Sequence, residues 1–547
     1  MPPLVGSVLA SSRALQRNSI PIVFPSDWRD LQGPVFDWYR ALPCQHINRL
    51  QIRKDSSGAV PHRFIVAHLT DGSIQRFDRR PKSKNSGEIL AAGIFGSSTI
   101  EAVDEIEAVE SSAWPNLEKE TKCEVDLNLG ESMDILTVLS ACYGISRDAS
   151  AHNYALPQFN CYFFSWTILA IVARHKIPNS IPSADQIYDR LQPRLQSLTR
   201  TLAGELSRAV MQAALDTITA VRREAGTWTI WKGSNWIDKI IWSLPMSVFR
   251  FLMKNLMSLR LHPSLKPHIQ KQLFSALGPK LQLILESKLH AHLIPDNVHN
   301  SLWFSEVRHV VEHAIRAEIT NTIWDVIWDT VGGTGSGIDM FQVTQEVSQA
   351  RFAEGHPGNE AQFSALWNAA IYAALEAVYR SAHGKIPDGA ITRETIFDDA
   401  WCTARDSALL AAQAVVRDTG PKLNNPKRDV MWEKVWEAWG PAWGAAQARA
   451  RETVLSSVNN MANALVDSVV EAIILEIGGS HLSLAPVKVD LEGEVASIQT
   501  SNVEMTHAEL QEFLQSLIRA STREQDSLPI STAMGRVWRT SRQVLNV

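Results

Sequence analysis

The segment from Tyr154 to Arg174 constrains the fold most, because it is the most apolar run in the chain and opens with a helix start signal. Asn160 is a favoured helix N-cap residue. With Asn160 as the cap, Phe159 and Phe164 have the spacing of a hydrophobic staple. Cys161 then lies in the first helical turn, where free N–H groups and the helix dipole favour a thiolate. The segment predicts a buried helix with a cysteine at its amino end.

Composition narrows the functional classes. The chain has 547 residues, of which 45% are apolar and 20% charged, so we expect several folded domains. A net charge of −5 gives no sign of a nucleic-acid partner. The five cysteines form no CxxC pair and have no histidine at metal-ligand spacing. We therefore expect no structural metal, no cofactor and no disulfide framework, and an intracellular, cytoplasmic location.

The amino-terminal residues 1–34 are predicted to form a disordered leader. Arg13 and Arg17 precede the first acidic residue, Asp27, which weakly suggests mitochondrial targeting as the less favoured alternative. The longest apolar run, Tyr162 to Ala173, is 12 residues. A helical membrane span needs about 20 residues, so no transmembrane segment is predicted.

Residues 35–180 are predicted to form an α+β unit built on an antiparallel β-meander. Apolar and polar residues alternate in the first and third of three segments, which is the pattern of half-buried strands, and the second segment is rich in β-forming residues. Asp71-Gly72 between the last two segments is a strong hairpin signal. The predicted strands are His46–Arg53, His62–Leu69 and Ser73–Arg79.

Three further segments complete the predicted unit. Residues 100–113 alternate apolar and acidic side chains and predict either a strand or a charged helix. Residues 131–143 have apolar positions at helical spacing and predict a helix. The helix that begins at Asn160 is predicted to end near His175, where basic residues suit a helix carboxyl end.

Residues 181–480 are predicted to be entirely α-helical, so the whole chain is predominantly α. Trp367, Trp401 and Trp439 are 34 and 38 residues apart, which is typical of stacked helical pairs. Degenerate helical repeats and an irregular helical bundle both remain open. Residues 481–547 predict a connector and one carboxyl-terminal helix.

Tryptophan and alanine are concentrated on the helices of this region. Trp432, Trp436, Trp439 and Trp443 fall on one helix face. Core packing explains such a face, and a surface for a protein partner or for self-association is the alternative. Two other patterns are weaker candidates for a binding site. The glycine-rich GGTGSG lacks the lysine that follows a phosphate-binding loop. The acidic pairs lack the DDxxD spacing of a magnesium site. Those pairs are Asp325 with Asp329, and Asp398 with Asp399.

Cys161 and His62 form the candidate catalytic pair. A thiol nucleophile needs a base that holds it as a thiolate, and histidine has the appropriate pKa range. His68 alternates onto the same strand face and is the second choice of base. Gln75 is expected on the side of His68 in a simple hairpin, where it would orient the imidazole or donate to an oxyanion. His46 and His152 are weaker candidates.

Two motifs in this order carry a resemblance to known enzymes. The sequence HRFIVAHLTDGS from His62, followed by YALPQFNCYFFSW from Tyr154, resembles the circularly permuted papain-like enzymes, in which the histidine strand precedes the cysteine helix. The PPPDE desumoylating isopeptidases have a similar tyrosine-to-Asn-Cys segment. The lecithin:retinol acyltransferase group has a similar histidine before an Asp-Gly turn and an Asn-Cys pair. The resemblance covers residues 40–180.

The resemblance implies a papain-like unit and a cysteine-dependent hydrolase or acyl transferase that acts on an amide, isopeptide or ester carbonyl. Two departures stand against it. Arg63 occupies the place of the usual small aromatic or tryptophan residue, and the second strand histidine of the acyltransferase group has no match beyond Gln75 or Arg76. The competing hypothesis is a non-catalytic scaffold, with a silent papain-like unit and helices that bind a protein partner.

Overall fold

The computed structural model separates the chain into two compact units. Unit 1 comprises Met1–Pro182, Leu289–Val311 and Ile473–Val547, and unit 2 comprises Ser183–Lys288 and Glu312–Ala472. The residues that the structure describes are 19–55, 62–82, 100–155, 158–177, 181–225, 244–260, 262–291, 293–332, 359–387, 391–419, 426–479, 481–484, 488–491, 494–497, 503–521 and 524–545.

Unit 1 is built on an antiparallel sheet. Its strands follow the order β1-β5-β4-β3-β2-β6-β8-β11 among the described residues, β7 pairs with β5, and β9 and β10 form a separate hairpin. The strands are β1 Ile20–Pro21, β2 His46–Asp55, β3 His62–Leu69, β4 Ile74–Pro81, β5 Ile100–Val109, β6 Thr121–Asp134, β7 Asn153–Tyr154, β8 His481–Leu484, β9 Lys488–Leu491, β10 Glu494–Ser497 and β11 Val503–Thr506.

The predicted meander is present, and so is the predicted α+β, predominantly α, fold class. β2, β3 and β4 pair in sequence, and Gly72 adopts a φ of 88° in the turn between β3 and β4. A positive φ is accessible to glycine without steric cost, which explains the Asp-Gly signal. Residues 100–109 form strand β5, which settles the choice between strand and charged helix.

Strand β6 was not predicted from the sequence. Val125, Leu127 and Leu129 are buried at every second position, which is the period of a strand. β6 extends to Asp134 and pairs with β2, so the helix predicted for residues 131–143 begins later, at Leu136. The side chain of Asp134 accepts a hydrogen bond from the N–H of Leu136 at 2.8 Å, which marks the change from strand to helix.

Helices of unit 1 cover the sheet and share one hydrophobic core with it. Ile65, Ala67 and Phe77 of the sheet lie in the same core cluster as residues from the helices that begin at Leu136, Cys161, His507 and Glu524. The helices of this unit are α1 Pro34–Ala41, α2 Trp114–Glu120, α3 Leu136–Arg147, α4 Cys161–His175, α8 Leu293–Asn300, α13 His507–Ser521 and α14 Glu524–Leu545.

The carboxyl-terminal region differs from the predicted connector with a single helix. β8 and β11 extend the sheet beyond β6, and α13 and α14 both contribute to the core. Arg536 of α14 donates two hydrogen bonds to Asp148, at 2.6 and 3.1 Å. Residues 289–311 also return to unit 1, where buried Arg174 donates to the carbonyl of Val298 at 2.6 Å.

The predicted disordered leader is wrong for residues 19–34, and residues 1–18 lie outside the described residues. β1 pairs with β5, and Trp28 is buried against Phe36 at a ring distance of 5.1 Å. Tyr143 of α3 packs against the Trp28 ring at 5.2 Å. Aromatic burial of this kind stabilises the chain before α1 through contacts that lie far away in sequence.

Unit 2 is α-helical, as predicted for this region. Its described helices are α5 Ala184–Ala225, α6 Met246–Arg260, α7 His262–Leu289, α9 Phe304–Gly332, α10 Asn359–Ala382, α11 Arg393–Thr419 and α12 Pro426–Gly478, of which α7, α9 and α12 continue into unit 1. The last three helices carry Trp367, Trp401 and Trp439 but have 24, 27 and 53 residues. Their unequal lengths do not suit a regular array, and the repeat hypothesis stays untested.

A tryptophan ladder, defined as Trp401, Trp432, Trp436, Trp439 and Trp443, connects α11 and α12. Successive rings along α12 lie 5.2, 6.2 and 6.0 Å apart. The Trp401 ring lies 5.6 Å from that of Trp443. The four rings of α12 pack in or against the core of unit 2, with Trp439 fully buried. The ladder is therefore explained by internal packing.

Two observations complete the fold. Among the described residues, no helix combines the length and apolar character needed to cross a bilayer. Of the GGTGSG segment, only Gly332 is described, at the end of α9, and the other five residues lie outside the described ranges.

The close approach of α3 and α14 generates a stability prediction. A Cβ on Gly144 would lie 2.8 Å from the carbonyl oxygen of Val537 and 2.9 Å from its Cγ1. We expect Gly144→Ala to destabilise the protein by about 1–2 kcal/mol, because the backbone of α14 must move. Urea unfolding followed by circular dichroism measures the change.

Gly444→Ala is the matched control, since Gly444 also lies within a helix and a Cβ there meets nothing within 4 Å. That substitution should be neutral or stabilising by up to about 1 kcal/mol, from helix propensity alone. Equal effects of the two substitutions would contradict the close packing of α3 against α14.

Candidate active site

The amino end of α4 has the predicted cap. The side-chain oxygen of Asn160 accepts hydrogen bonds from the N–H groups of Tyr162 and Phe163, at 2.9 and 3.2 Å. α4 begins at Cys161, so the prediction that this cysteine opens the helix is confirmed. Phe159 packs edge-on against Phe163 at 5.1 Å, one position before the expected staple partner. The cap fixes the position of the thiol at the end of the helix.

The structure brings Cys161 and His62 together. His62 is the first residue of β3, and its imidazole is hydrogen-bonded to the Cys161 thiol. The other contact of the ring joins His62 Nε2 to Asp78 Oδ1 at 2.5 Å. Because Asp78 occupies Nε2, Nδ1 is the nitrogen that remains for the sulfur. Cysteine, histidine and carboxylate thus form a continuous chain of contacts, the arrangement of a catalytic triad.

Asp78 also contacts two arginine side chains. Arg76 Nη2 lies 2.8 Å from Asp78 Oδ2, and Arg80 Nη2 contacts the same oxygen. Asp78 is 4% exposed, so its charge is balanced almost entirely by protein groups. Three cationic partners around one buried carboxylate keep it ionised and keep the imidazole in place.

The electrostatics favour an ion pair between Cys161 and His62. Burial alone would lower the pKa of His62, but the charges of Asp78 and of the Cys161 thiolate raise that pKa to about 10. Burial opposes ionisation of Cys161, yet the charge and hydrogen bond of His62 bring the thiol pKa below its ordinary value. Burial also acts against ionised Asp78, and its cationic neighbours hold the carboxyl pKa well below the usual range. Each of the two groups therefore favours the charged form of the other, thiolate for Cys161 and imidazolium for His62.

Two other groups contact the Cys161 sulfur. The backbone N–H of Arg63 donates a hydrogen bond to it. The phenolic group of Tyr154 is also hydrogen-bonded to it. The Arg63 side chain forms an ion pair with Glu124, and its guanidinium lies 3.5 Å from the centre of the Tyr162 ring. Arg63 thus links β3 to the first turn of α4.

Arg79 positions the segment that precedes Cys161. It is fully buried, and its Nη2 donates to the carbonyls of Ala151 and Asn153, at 2.5 and 3.1 Å. Its Nη1 contacts Asp104 Oδ2 at 3.2 Å. Because Arg79 is adjacent to Asp78 in β4, a single strand supplies both the triad carboxylate and the anchor for residues 151–153.

The structure does not bring Gln75 to the pair. The register pairs Gln75 with Ala67 and Ile74 with His68, so the expectation that Gln75 and His68 share a face is wrong. Gln75 is three residues from Asp78, which places it on the opposite face and about 10 Å further along the strand. The register of the hairpin, unknown from sequence, decided between these two side chains.

The alternative histidines lie elsewhere. The His68 ring packs edge-on against Trp114 at 5.0 Å, and burial together with the charge of Arg49 lowers its pKa to about 4. His46 is exposed at the start of β2, and exposed His152 hydrogen-bonds through Nδ1 to the carbonyl of Asp148. The Cys161 contact therefore belongs to His62.

Sequence reasoning missed Asp78 and Tyr154. Asp78 stands inside a predicted strand, a place that aspartate generally avoids. A carboxylate in a buried strand needs charged partners, so Asp78 was a detectable signal. Tyr154 was noted for the family resemblance and not for a contact with the sulfur.

One member of each acidic pair weighed as a metal ligand is held in protein contacts. Asp329 lies 3.2 Å from Lys280 Nζ and 3.0 Å from His383 Nδ1. Asp398 accepts from Gln447 and Arg451, both at 2.7 Å. Within the described ranges, no group of three or more His, Cys, Asp or Glu side chains is arranged to hold a metal ion.

Comparison with known proteins identifies no relative: no family model, no curated protein and no solved structure matches the chain.

The ion pair generates a prediction for the pH dependence of alkylation. Iodoacetamide reacts with the thiolate, so the rate at Cys161 should rise with pH around a midpoint below the ordinary thiol pKa. His62→Gln removes the imidazolium and leaves burial dominant, so its midpoint should move above the ordinary value. Peptide mass mapping at each pH measures the rate at this one cysteine.

An unchanged midpoint in His62→Gln would contradict the ion pair. His68→Gln is the matched control, because the same substitution on the same strand removes a histidine that does not contact the sulfur. Its midpoint should equal that of the unmodified chain.

The buried carboxylate generates a stability prediction. Asp78→Asn removes the carboxylate charge that contacts His62, Arg76 and Arg80. We expect a loss of about 3–5 kcal/mol, since breaking a buried ion pair by removal of one partner leaves uncompensated charge. Urea unfolding measures the loss. Asp37→Asn, which breaks an exposed pair with Arg40, should cost less than about 1 kcal/mol. A similar loss of unfolding free energy in both variants would show that Asp78 is not the shared anion of a buried cluster.

Proposed function

We propose that unit 1 is a cysteine-dependent hydrolase or acyl transferase that acts on an amide, isopeptide or ester carbonyl. The contact chain Cys161–His62–Asp78 carries the proposal. A thiol in contact with an imidazole that a carboxylate orients is an arrangement suited to nucleophilic catalysis, and structural packing alone does not require this order. The resemblance to permuted papain-like enzymes supports the same chemistry, because the histidine strand precedes the cysteine helix in this chain too.

Each residue has a defined role in the proposed reaction. The Cys161 thiolate attacks the carbonyl carbon, and the carbonyl oxygen takes the negative charge of a tetrahedral intermediate. The intermediate collapses as the C–N or C–O bond breaks, and the imidazolium of His62 gives its proton to the leaving nitrogen or oxygen. The product of this step is a thioester on Cys161 with neutral His62.

Neutral His62 then acts as a base. It takes a proton from water, or from an acceptor alcohol or amine, as that nucleophile attacks the thioester carbon. Collapse of the second tetrahedral intermediate returns the thiolate and releases a carboxylic acid or the acylated acceptor. Asp78 keeps the imidazole in orientation throughout and stabilises its protonated form.

A silent unit 1 is the second candidate, and one observation favours it. Cys161 is 3% exposed and His62 is 7% exposed, which also suits a structural cysteine. In that case the helices of unit 2 would bind a protein partner or a second copy of the chain. The tryptophan ladder gives no direct support, because its rings pack in their own core.

Covalent labelling decides between the two candidates. The full chain is treated near neutral pH with iodoacetamide and, separately, with the activated ester p-nitrophenyl acetate, and the modified peptides are mapped by mass. We expect both reagents to modify Cys161 faster than Cys123, whose pKa burial raises to about 12. His62→Gln should slow acetylation at Cys161 by at least about 100-fold.

Cys402→Ser is the control, since Cys402 is exposed on α11 and lies in unit 2. It should leave both rates at Cys161 unchanged. Modification of Cys402 without modification of Cys161 would overturn the enzyme proposal and favour the silent unit.

A further inference from the structure

Tyr154 is hydrogen-bonded to the Cys161 sulfur, and two constraints fix it there. It is 3% exposed and pairs as the last residue of β7 with Ile100 of β5. Arg79 holds the two carbonyls at Ala151 and Asn153 just before it. The phenolic group is thereby presented to the nucleophile by backbone pairing and by a buried guanidinium.

The phenol can only donate to a thiolate. Burial and the negative charges of Cys161 and Asp78 raise the pKa of Tyr154 well above its ordinary value, so the group keeps its proton. A thiolate sulfur has no proton to offer. The O–H of Tyr154 therefore points its hydrogen toward the sulfur in the resting state.

When Cys161 attacks a carbonyl, the best acceptor for the O–H of Tyr154 changes. When the sulfur forms a bond to carbon, its negative charge passes to the carbonyl oxygen, and the sulfur becomes a poor acceptor. The oxyanion is bonded to the carbon attached to the sulfur, so it lies within about 3 Å of it. A small rotation of the O–H directs its hydrogen to that oxyanion, at the distance typical of an oxyanion hole.

We propose that Tyr154 is a catalytic residue whose hydrogen bond moves from the Cys161 thiolate in the resting site to the oxyanion of the tetrahedral intermediate. This inference rests on the proposed function and supplies its missing electrophilic group. No proton is transferred in the step: the phenol stays neutral and only changes acceptor.

Gln75 and the capped N–H groups of α4 do not replace Tyr154 in this role. Gln75, the donor expected from sequence, lies on the opposite face and further along β4. The N-cap takes the N–H groups of Tyr162 and Phe163, and the N–H of Phe164 is bonded to the carbonyl of Asn160. The N–H of Cys161 is the first in α4 and is not taken by the cap, so it is suited to be a second donor beside Tyr154.

The test compares two reactions of the same thiol in the full chain. Alkylation by iodoacetamide displaces iodide at a saturated carbon and forms no oxyanion. Acetylation by p-nitrophenyl acetate passes through one. We expect Tyr154→Phe to slow acetylation of Cys161 by about 100-fold or more, the usual effect of losing one oxyanion donor. Alkylation, measured where the thiolate is fully formed, should stay within about threefold.

Tyr162→Phe is the matched control, because it removes the same hydroxyl one residue from the nucleophile while keeping the ring beneath Arg63. Both of its rates should match the unmodified chain. The retained alkylation rate of Tyr154→Phe also shows that its site is folded.

Each alternative result has one meaning. Equal slowing of both reactions in Tyr154→Phe would assign the tyrosine to the thiol alone and overturn this inference. An unchanged acetylation rate would also overturn it. Neither result contradicts the proposed function. That proposal fails only if Cys161 of the unmodified chain is not acetylated.

Discussion

The buried carboxylate of Asp78 is the interaction on which the candidate site depends. It contacts His62, Arg76 and Arg80, and all four groups lie largely out of water. A charge in this position is costly unless cations neutralise it, so the four side chains stabilise one another's ionised forms. The pairing of β3 with β4 brings them together. The imidazolium of His62 then lies between two anionic groups, the Asp78 carboxylate and the Cys161 thiolate.

Helix α4 reaches this charged end of the sheet through local and distant constraints. The Asn160 cap sets the first turn, and Arg79 holds the segment before it. Asp148 lies further upstream, where its side chain accepts backbone hydrogen bonds and the two donated by Arg536 of α14. The carboxyl-terminal helix thus supports the loop that leads to Cys161, although it lies almost 400 residues later in the chain.

The tryptophans and alanines of unit 2 are explained by the packing of its core. Its tryptophan ladder and the small alanines of α10 and α11 fill a helical core, with Ala404 and Ala408 in the same cluster as Trp439. Large and small side chains interlock here because close packing leaves no room for two large ones at one level. The catalytic candidates all lie in unit 1, so the tryptophan ladder and the candidate site belong to different units.

The sequence by itself determined the features that depend on a few neighbouring residues: the Asn160 cap, the position of Cys161 in the first turn, and the Asp-Gly hairpin. It also indicated His62 as the base. Only the tertiary structure shows that Asp78, and not Gln75, contacts His62, and that Tyr154 contacts the Cys161 sulfur. The physical reason is range: caps and turns are set within one or two turns of chain, whereas strand register and the packing of distant segments decide which side chains meet.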